Sequence, residues 1–277
     1  MLDEFSSSRS PTQPVNAAAQ WTARSVVFDG ATYRYWEVGE GEPLVIFHGG
    51  GGLDLAPAYA ALGRGARVLC FELPGFGVGS PDPGLETYRE IANLMFSVVS
   101  SLLGERFSLL GVSFGGAIAA WLAAQSPAAV DRLVLVAPAA LRHADKLPSL
   151  SPEGVGAALR AHPERGGPEP VADDASKRQV ALVQRVWSAS ADDELEAVLD
   201  GLEVPTLIVF GTRDGLIPPD TGNEYKRLLP RSTFALVYDA AHEVAWDRPE
   251  AFVDLVADFL RRGDAHVVTT ASRLINR

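Results

Sequence analysis

One cysteine in 277 residues, Cys70, leaves no partner for an internal disulfide, which argues against a disulfide-stapled secreted domain. It sits inside the apolar run RVLCFEL and reads as a buried, inert small hydrophobe. No apolar run approaches the ~18–20 residues that a membrane-spanning helix needs. Residues 1–20 (MLDEFSSSRSPTQPVNAAAQ) lack the basic start and apolar stretch of a signal peptide, and read as a flexible arm. Basic residues are scarce as well. The 24 Lys and Arg face 35 Asp and Glu, a net charge of −11. That balance excludes a nucleic-acid partner, whose phosphates need clustered cations. The five histidines (His48, His143, His162, His242 and His266) show no ligand-like pairing, so no metal is expected. The glycines within Pro74–Ser80 do not extend to a six-residue dinucleotide fingerprint, and no cofactor is expected either. What these absences leave is a soluble, acidic, globular chain, expected in the cytoplasm, with a small-molecule substrate as its partner. Its oligomeric state stays open.

What is present is length and alternation. At ~100–200 residues per domain, the chain makes one large domain or two small ones. A chain of this size buries roughly three quarters of its unfolded surface, so it needs no staple. Short apolar runs bounded by turn residues predict strands at Ser25–Phe28, Tyr33–Val38, Leu44–Phe47, Arg67–Phe71, Phe107–Leu110, Leu133–Val136, Thr206–Phe210 and Thr233–Tyr238. The first two form a hairpin around Asp29-Gly30. Helical patterns fall at Thr87–Leu103, Phe114–Gln125, Gly222–Leu229 and Pro249–Arg262. The last opens on a proline and carries Phe252, Leu255, Val256 and Phe259 on one face. The fold class that follows is α/β: a doubly wound, mostly parallel sheet covered by helices.

One stretch breaks the alternation. From Ala140 to Gly201 no strand signal occurs. Ser151-Pro152-Glu153 reads as an N-cap with proline at the first helical position. Further helical patterns carry Val180, Val183 and Trp187, then Leu195, Val198 and Leu199. A helical insert between two core strands reads as a lid over the carboxyl edge of the sheet, where open α/β sheets bind ligands.

Three loops carry the chemistry. Gly111-Val112-Ser113-Phe114-Gly115 follows a strand and opens a small-residue helix. A nucleophile on such a sharp turn sits in strained backbone, so the residues two positions either side must lack bulk. His48-Gly49-Gly50-Gly51-Gly52 follows the strand run LVIF. Its glycines let backbone N–H groups approach a ligand, as an oxyanion hole requires, with a second donor from Phe114 N–H. A phosphate loop is discounted because the closing G-K-[ST] is missing. His48 reads as a brace for this loop. Asp214 follows the run TLIVF and His242 the run TFALVYDA, which places both at the same sheet edge as Ser113 if all three strands are parallel. A serine, a histidine as its base and an aspartate to fix the histidine form a nucleophilic unit. Trp246, four residues past His242, has a claim to the rim of the site; Trp187 is assigned to core packing.

These motifs, FHGGGG (47–52), LPGFGVGS (73–80), GVSFGG (111–116), GTRDGLIPP (211–219) and AHEVAWDRPEAF (241–252), resemble the α/β-hydrolase superfamily from about Trp21 to Arg262. The resemblance implies a Ser113–His242–Asp214 triad and an oxyanion hole from Gly50 (or Gly51) and Phe114. It implies a core of residues 21–139 and 201–277, and a helical cap at 140–200. Asp145 is the fallback acid, and Asp239 stands too close to its strand end. A serine nucleophile speaks against the haloalkane dehalogenases and epoxide hydrolases of the same fold, which use aspartate. The expected function is hydrolysis of a small, largely apolar carboxylic ester, thioester or lactone through an acyl-enzyme on Ser113. Two alternatives stand beside it. One is a C–C bond hydrolase of vinylogous 1,5-diketones from aromatic-ring degradation, for which Arg142, Lys146, Arg178 or Arg185 would face the substrate carboxylate. The other is a non-catalytic small-molecule-binding protein on this fold. The tail after Gly263 has no assigned role.

Overall fold

A computed structural model describes residues 20–77, 84–104, 106–141, 152–167, 174–189, 192–263 and 265. Nearly all of the expected N-terminal arm, the loop residues Arg142, His143, Asp145 and Lys146, and the tail beyond Ala265 lie outside them.

Eight strands form one sheet: β1 (Thr22–Phe28), β2 (Ala31–Val38), β3 (Pro43–Phe47), β4 (Arg67–Phe71), β5 (Phe107–Val112), β6 (Val130–Val136), β7 (Thr206–Gly211) and β8 (Ser232–Val237). Their order is β1-β2-β4-β3-β5-β6-β7-β8. The first two strands pair antiparallel with each other, and β2 runs antiparallel to β4; β3 to β8 are all parallel. The hairpin turns at Asp29 and Gly30, with φ of 47° and 73°, the two positive values a two-residue turn needs to match strand twist. Strands β3 to β7 are apolar almost without interruption because helices cover both their faces.

The helices are α1 (Pro57–Leu62), α2 (Tyr88–Leu103), α3 (Phe114–Gln125), α4 (Pro152–Leu159), α5 (Asp174–Ala189), α6 (Asp192–Leu199), α7 (Thr221–Leu228), α8 (Val244–Asp247) and α9 (Pro249–Arg262). One apolar cluster takes in α2, α3 and α7 through Ile91, Met95, Ile118 and Tyr225. The cluster on the opposite face takes in α1 and α9 through Tyr59, Leu62, Phe252 and Phe259. Helix α2 covers the expected Thr87–Leu103 pattern, with Thr87 as its N-cap. The Thr87 hydroxyl accepts the Glu90 N–H, and the Glu90 carboxylate accepts the Thr87 N–H, so two orphan donors are satisfied at once. Helices α1 and α8 have no sequence signal, since six and four residues are too few to display a helical period. Helices α4, α5 and α6 lie between β6 and β7, and no strand occurs among the described residues of that stretch. Leu182, Val186, Leu195 and Leu199 fasten α5 and α6 to the core. Among the described residues, no helix is long and apolar enough to cross a membrane.

Candidate active site

The parallel strands bring Ser113, Asp214 and His242 to one edge, because each follows the carboxyl end of β5, β7 or β8. Ser113 is the single residue between β5 and α3, with φ 51° and ψ −113°. Its backbone is over-determined. The Ser113 N–H donates to Val136 O at 2.9 Å, and its carbonyl accepts the Ala117 and Ala139 N–H groups at 3.1 and 2.9 Å. The neighbouring glycines are steric necessities. A Cβ on Gly111 would stand 2.3 Å from Gly115 O, and one on Gly115 would stand 2.4 Å from the carbonyl oxygens of both Phe47 and His48. One on Gly116 would stand 2.9 Å from Pro138. The G-x-S-x-G pattern is thus what remains when a strained turn is packed against two loops.

Asp214 is held before it meets the histidine. Its Oδ1 accepts the Leu216 and Ile217 N–H groups, both at 2.9 Å. Its Oδ2 lies 2.9 Å from His242 Nδ1, with both side chains enclosed. A carboxylate only accepts, so Nδ1 carries the proton and Nε2 of the neutral ring is left as the acceptor. That Nε2 is buried and takes no hydrogen bond among the described residues, from Ser113 included. Sequence reading assigned the acid to Asp214 and not Asp239. Asp239 binds Arg213 and His162 at 2.8 Å each.

His48 is a brace. Its Nδ1 donates to Gly49 O at 2.7 Å, and its Nε2 accepts the Leu73 N–H at 3.0 Å, which fixes one neutral tautomer. Full burial pushes its pKa down to about 4. Its own carbonyl accepts the Gly115 N–H at 3.1 Å, tying the glycine loop to the turn at Ser113. Of the candidate oxyanion donors, Gly50 lies against Phe114: a Cβ added there would be 3.9 Å from Phe114 Cβ and 3.3 Å from Val183 of α5. Gly51 meets nothing within 4 Å. The Phe114 ring packs between Phe76 and Tyr88, and its N–H is the first of α3, where helix donors have no partner within the helix.

Ser113, His242, Gly50, Gly51 and Phe114 all border one cavity of about 310 Å³. Its walls are mostly apolar, with Val112, Val136, Val183 and Leu216 among them. Trp246 lines it, as sequence reading placed it, and so does Trp187, which that reading gave to the core. Trp187 does both, since α5 turns one side to the core and the other to the cavity. Among the described residues, no Lys or Arg lines the cavity. No group of three metal-ligating side chains occurs among them either.

Four further residues had no assigned role in the sequence. Asp54 lines the cavity and accepts the Trp246 Nε1–H at 2.5 Å; burial pushes its pKa up to about 6. Glu243, next to the histidine, pairs with Arg160 at 2.5 Å. Asp247 is fully buried and accepts the N–H groups of Ala161, His162 and Ala241 at 2.9, 2.8 and 2.7 Å. The end of α4 is therefore tied to the histidine loop. The only sequence trace of these contacts is that Asp54 follows the glycine run and Asp247 follows His242 within one quoted motif.

A sheet of this order, with a serine at a strained turn and an Asp–His pair on later loops, defines the α/β-hydrolase class. The model of that family, described as the alpha/beta hydrolase fold, matches residues 42–167. The 2-hydroxy-6-oxo-6-(2'-aminophenyl)hexa-2,4-dienoic acid hydrolase of Metapseudomonas resinovorans is 26% identical, covering 87% of this chain and 92% of its own. The pimeloyl-[acyl-carrier protein] methyl ester esterase of Aeromonas hydrophila is 27% identical, covering 80% and 96%. Among solved structures, a serine hydrolase involved in carbazole degradation superposes with a TM-score of 0.72 at 24% identity, over 87% and 99% of the two chains. The chain has the α/β-hydrolase fold and, by its likeness to these hydrolases and esterases, is an enzyme, a hydrolase.

Proposed function

We propose that the protein is a serine hydrolase that cleaves a small, largely apolar carboxylic ester, thioester or lactone. The observation that carries this reading is the free acceptor on His242. Its Nε2 is buried and unbonded among the described residues, its ring is held by Asp214, and it shares a mainly apolar cavity with Ser113. In this reading Nε2 takes the Ser113 Oγ proton as the oxygen attacks the carbonyl, and returns it to the leaving alkoxide or thiolate. Water, deprotonated by the same nitrogen, then splits the acyl-enzyme. Gly50 (or Gly51) and Phe114 N–H receive the oxyanion, each such donor being worth ~2.7–4 kcal/mol at the transition state. Helices α4 to α6, within residues 140–200, act as the cap that excludes water and shapes the pocket. Catalytic serine–histidine contacts are often long before substrate binds, which fits the unbonded Nε2.

The runner-up is C–C hydrolysis of vinylogous diketones, favoured by the similarity to a dienoic acid hydrolase. It needs a cation for the substrate carboxylate. Arg178 and Arg185 are exposed, and Arg185 donates to Leu85 O at 3.1 Å. Neither lines the cavity. Arg142 and Lys146 lie outside the described residues. The ester reading stands first on that ground. The deciding experiment is fluorophosphonate labelling with peptide mapping on wild type and Ser113→Ala, followed by ester and diketone panels. An adduct on the Ser113 peptide, absent from the variant, is expected. Well-folded protein that takes no label, and turns over neither panel, overturns the serine mechanism.

A further inference from the structure

The cavity beside Ser113 and His242 has one polar corner. There Asp54, carried by the loop after the glycine run, meets Trp246 of α8, whose indole N–H occupies Asp54 Oδ2 at 2.5 Å. The second oxygen, Oδ1, has no hydrogen-bond partner among the described residues. Oδ1 is not among the polar atoms sealed from solvent, so it faces space that a ligand or water can enter, while half-buried carboxylates are normally satisfied within the protein or by water. The other carboxylate of the wall obeys that rule: Glu243 has Arg160 at 2.5 Å. Among the described residues Asp54 has no ion pair of its own, although the Arg160 charge reaches it, and Tyr59 and Trp246 line the cavity with it.

We propose that Asp54 Oδ1 is a substrate-binding acceptor, which takes a hydroxyl or protonated amine on a part of the substrate away from the scissile carbonyl. Trp246 sets the carboxylate's rotamer and leaves one oxygen for the ligand. This subsite rests on the ester-hydrolase reading of Ser113 and narrows its substrate class to esters that carry a donor group. It also disfavours substrates with a distal carboxylate, which would face Asp54 and Glu243, since among the described residues no Lys or Arg lines the cavity. The raised proton affinity of Asp54 fits an oxygen short of donors in the empty cavity, since burial is its largest cause.

Titration calorimetry on Ser113→Ala tests the subsite without turnover. The probes are methyl hexanoate, methyl 6-hydroxyhexanoate, methyl 6-aminohexanoate and monomethyl adipate, with a second set built on the alcohol side: hexyl acetate and its 6-hydroxy and 6-amino analogues. In at least one set the hydroxy or amino ester should bind about tenfold tighter than the plain ester, as a hydrogen bond to a charged acceptor implies. Monomethyl adipate should bind more weakly than methyl hexanoate. Asp54→Asn keeps an acceptor for Trp246 and should lose the amine preference and the adipate penalty. Asp54→Leu should lose the hydroxyl preference as well. Which of the two donors wins identifies the group. Equal or tighter binding of the plain esters in both sets overturns the proposal, and so does a preference that survives Asp54→Leu. Hydrolysis of the same esters by wild type, lost in Ser113→Ala, reports separately on the hydrolase reading, so either can fail alone.

Discussion

The carboxylate of Asp247 accepts the N–H of Ala241, the residue before His242, at 2.7 Å. The same group accepts two N–H groups at the end of α4, so one buried side chain sets the histidine loop and the segment lying over it. Asp247→Asn should therefore cost about 2–4 kcal/mol, because an amide NH₂ must face backbone donors that a carboxylate received. Thermal unfolding measures that loss. The kcat of whatever protein remains folded should fall with it, while KM changes little, since Asp247 acts through His242 and does not line the cavity.

Loss of the proposed nucleophilic unit should be non-additive. Ser113→Ala and His242→Ala should each lower kcat on the order of 10⁴-fold or more, and the double variant hardly further. Asp214→Asn, which leaves the loop bonds to Leu216 and Ile217 largely in place, should cost on the order of 10³–10⁴ by freeing the histidine tautomer. Single-turnover kinetics with a p-nitrophenyl ester is the measurement. A double variant much slower than either single one would show that the residues do not act as one unit.

Two glycines, one two residues after the serine and one on the glycine loop that shares its cavity, should differ sharply. Gly115→Ala puts a Cβ 2.4 Å from two backbone oxygens and should cost more than 3 kcal/mol or abolish folding. Gly51→Ala meets nothing within 4 Å and does not sit at positive φ, so its unfolding midpoint should stay within about 0.5 kcal/mol of wild type. Chemical denaturation of both variants decides this.

Stability should depend on pH through two opposing groups. His48 is neutral in the fold, its pKa lowered from 6.5 to about 4. Its contribution is whole above pH 6.5 and is lost as the pH falls through about 4. Asp54 runs the other way. Its pKa is raised from 3.8 to about 6, so its contribution is whole below pH 3.8 and is lost as the pH rises through about 6. Each is worth roughly 3 kcal/mol at full extent. Between pH 4 and 6 the two should nearly cancel in wild type. His48→Gln should lose stability as pH rises across that window, and Asp54→Asn should lose it as pH falls. Unfolding free energies at half-unit intervals test the two slopes.

Much of this was legible in the sequence because it depends on local rules. Apolar runs bounded by turn residues marked every strand of the sheet, and Pro249 and Asp29-Gly30 marked element boundaries through backbone preference. The glycines flanking Ser113 were legible because close approach leaves no other residue possible. The short helices α1 and α8 were not, for want of a period. Trp187 was half right, because a single helix side chain can touch core and cavity together.

The sequence by itself determined the elements, their alternation and the loops that carry serine, aspartate and histidine, since each follows from chain-local spacing and sterics. The tertiary structure alone decided which groups meet. Trp246 reaches Asp54 across 192 residues, and Asp247 reaches His162 across 85. A hydrogen bond between distant residues leaves no period or spacing in the chain. It comes from the sheet order, which places the carboxyl ends of β3, β5, β6, β7 and β8 side by side and so gathers their loops around one cavity.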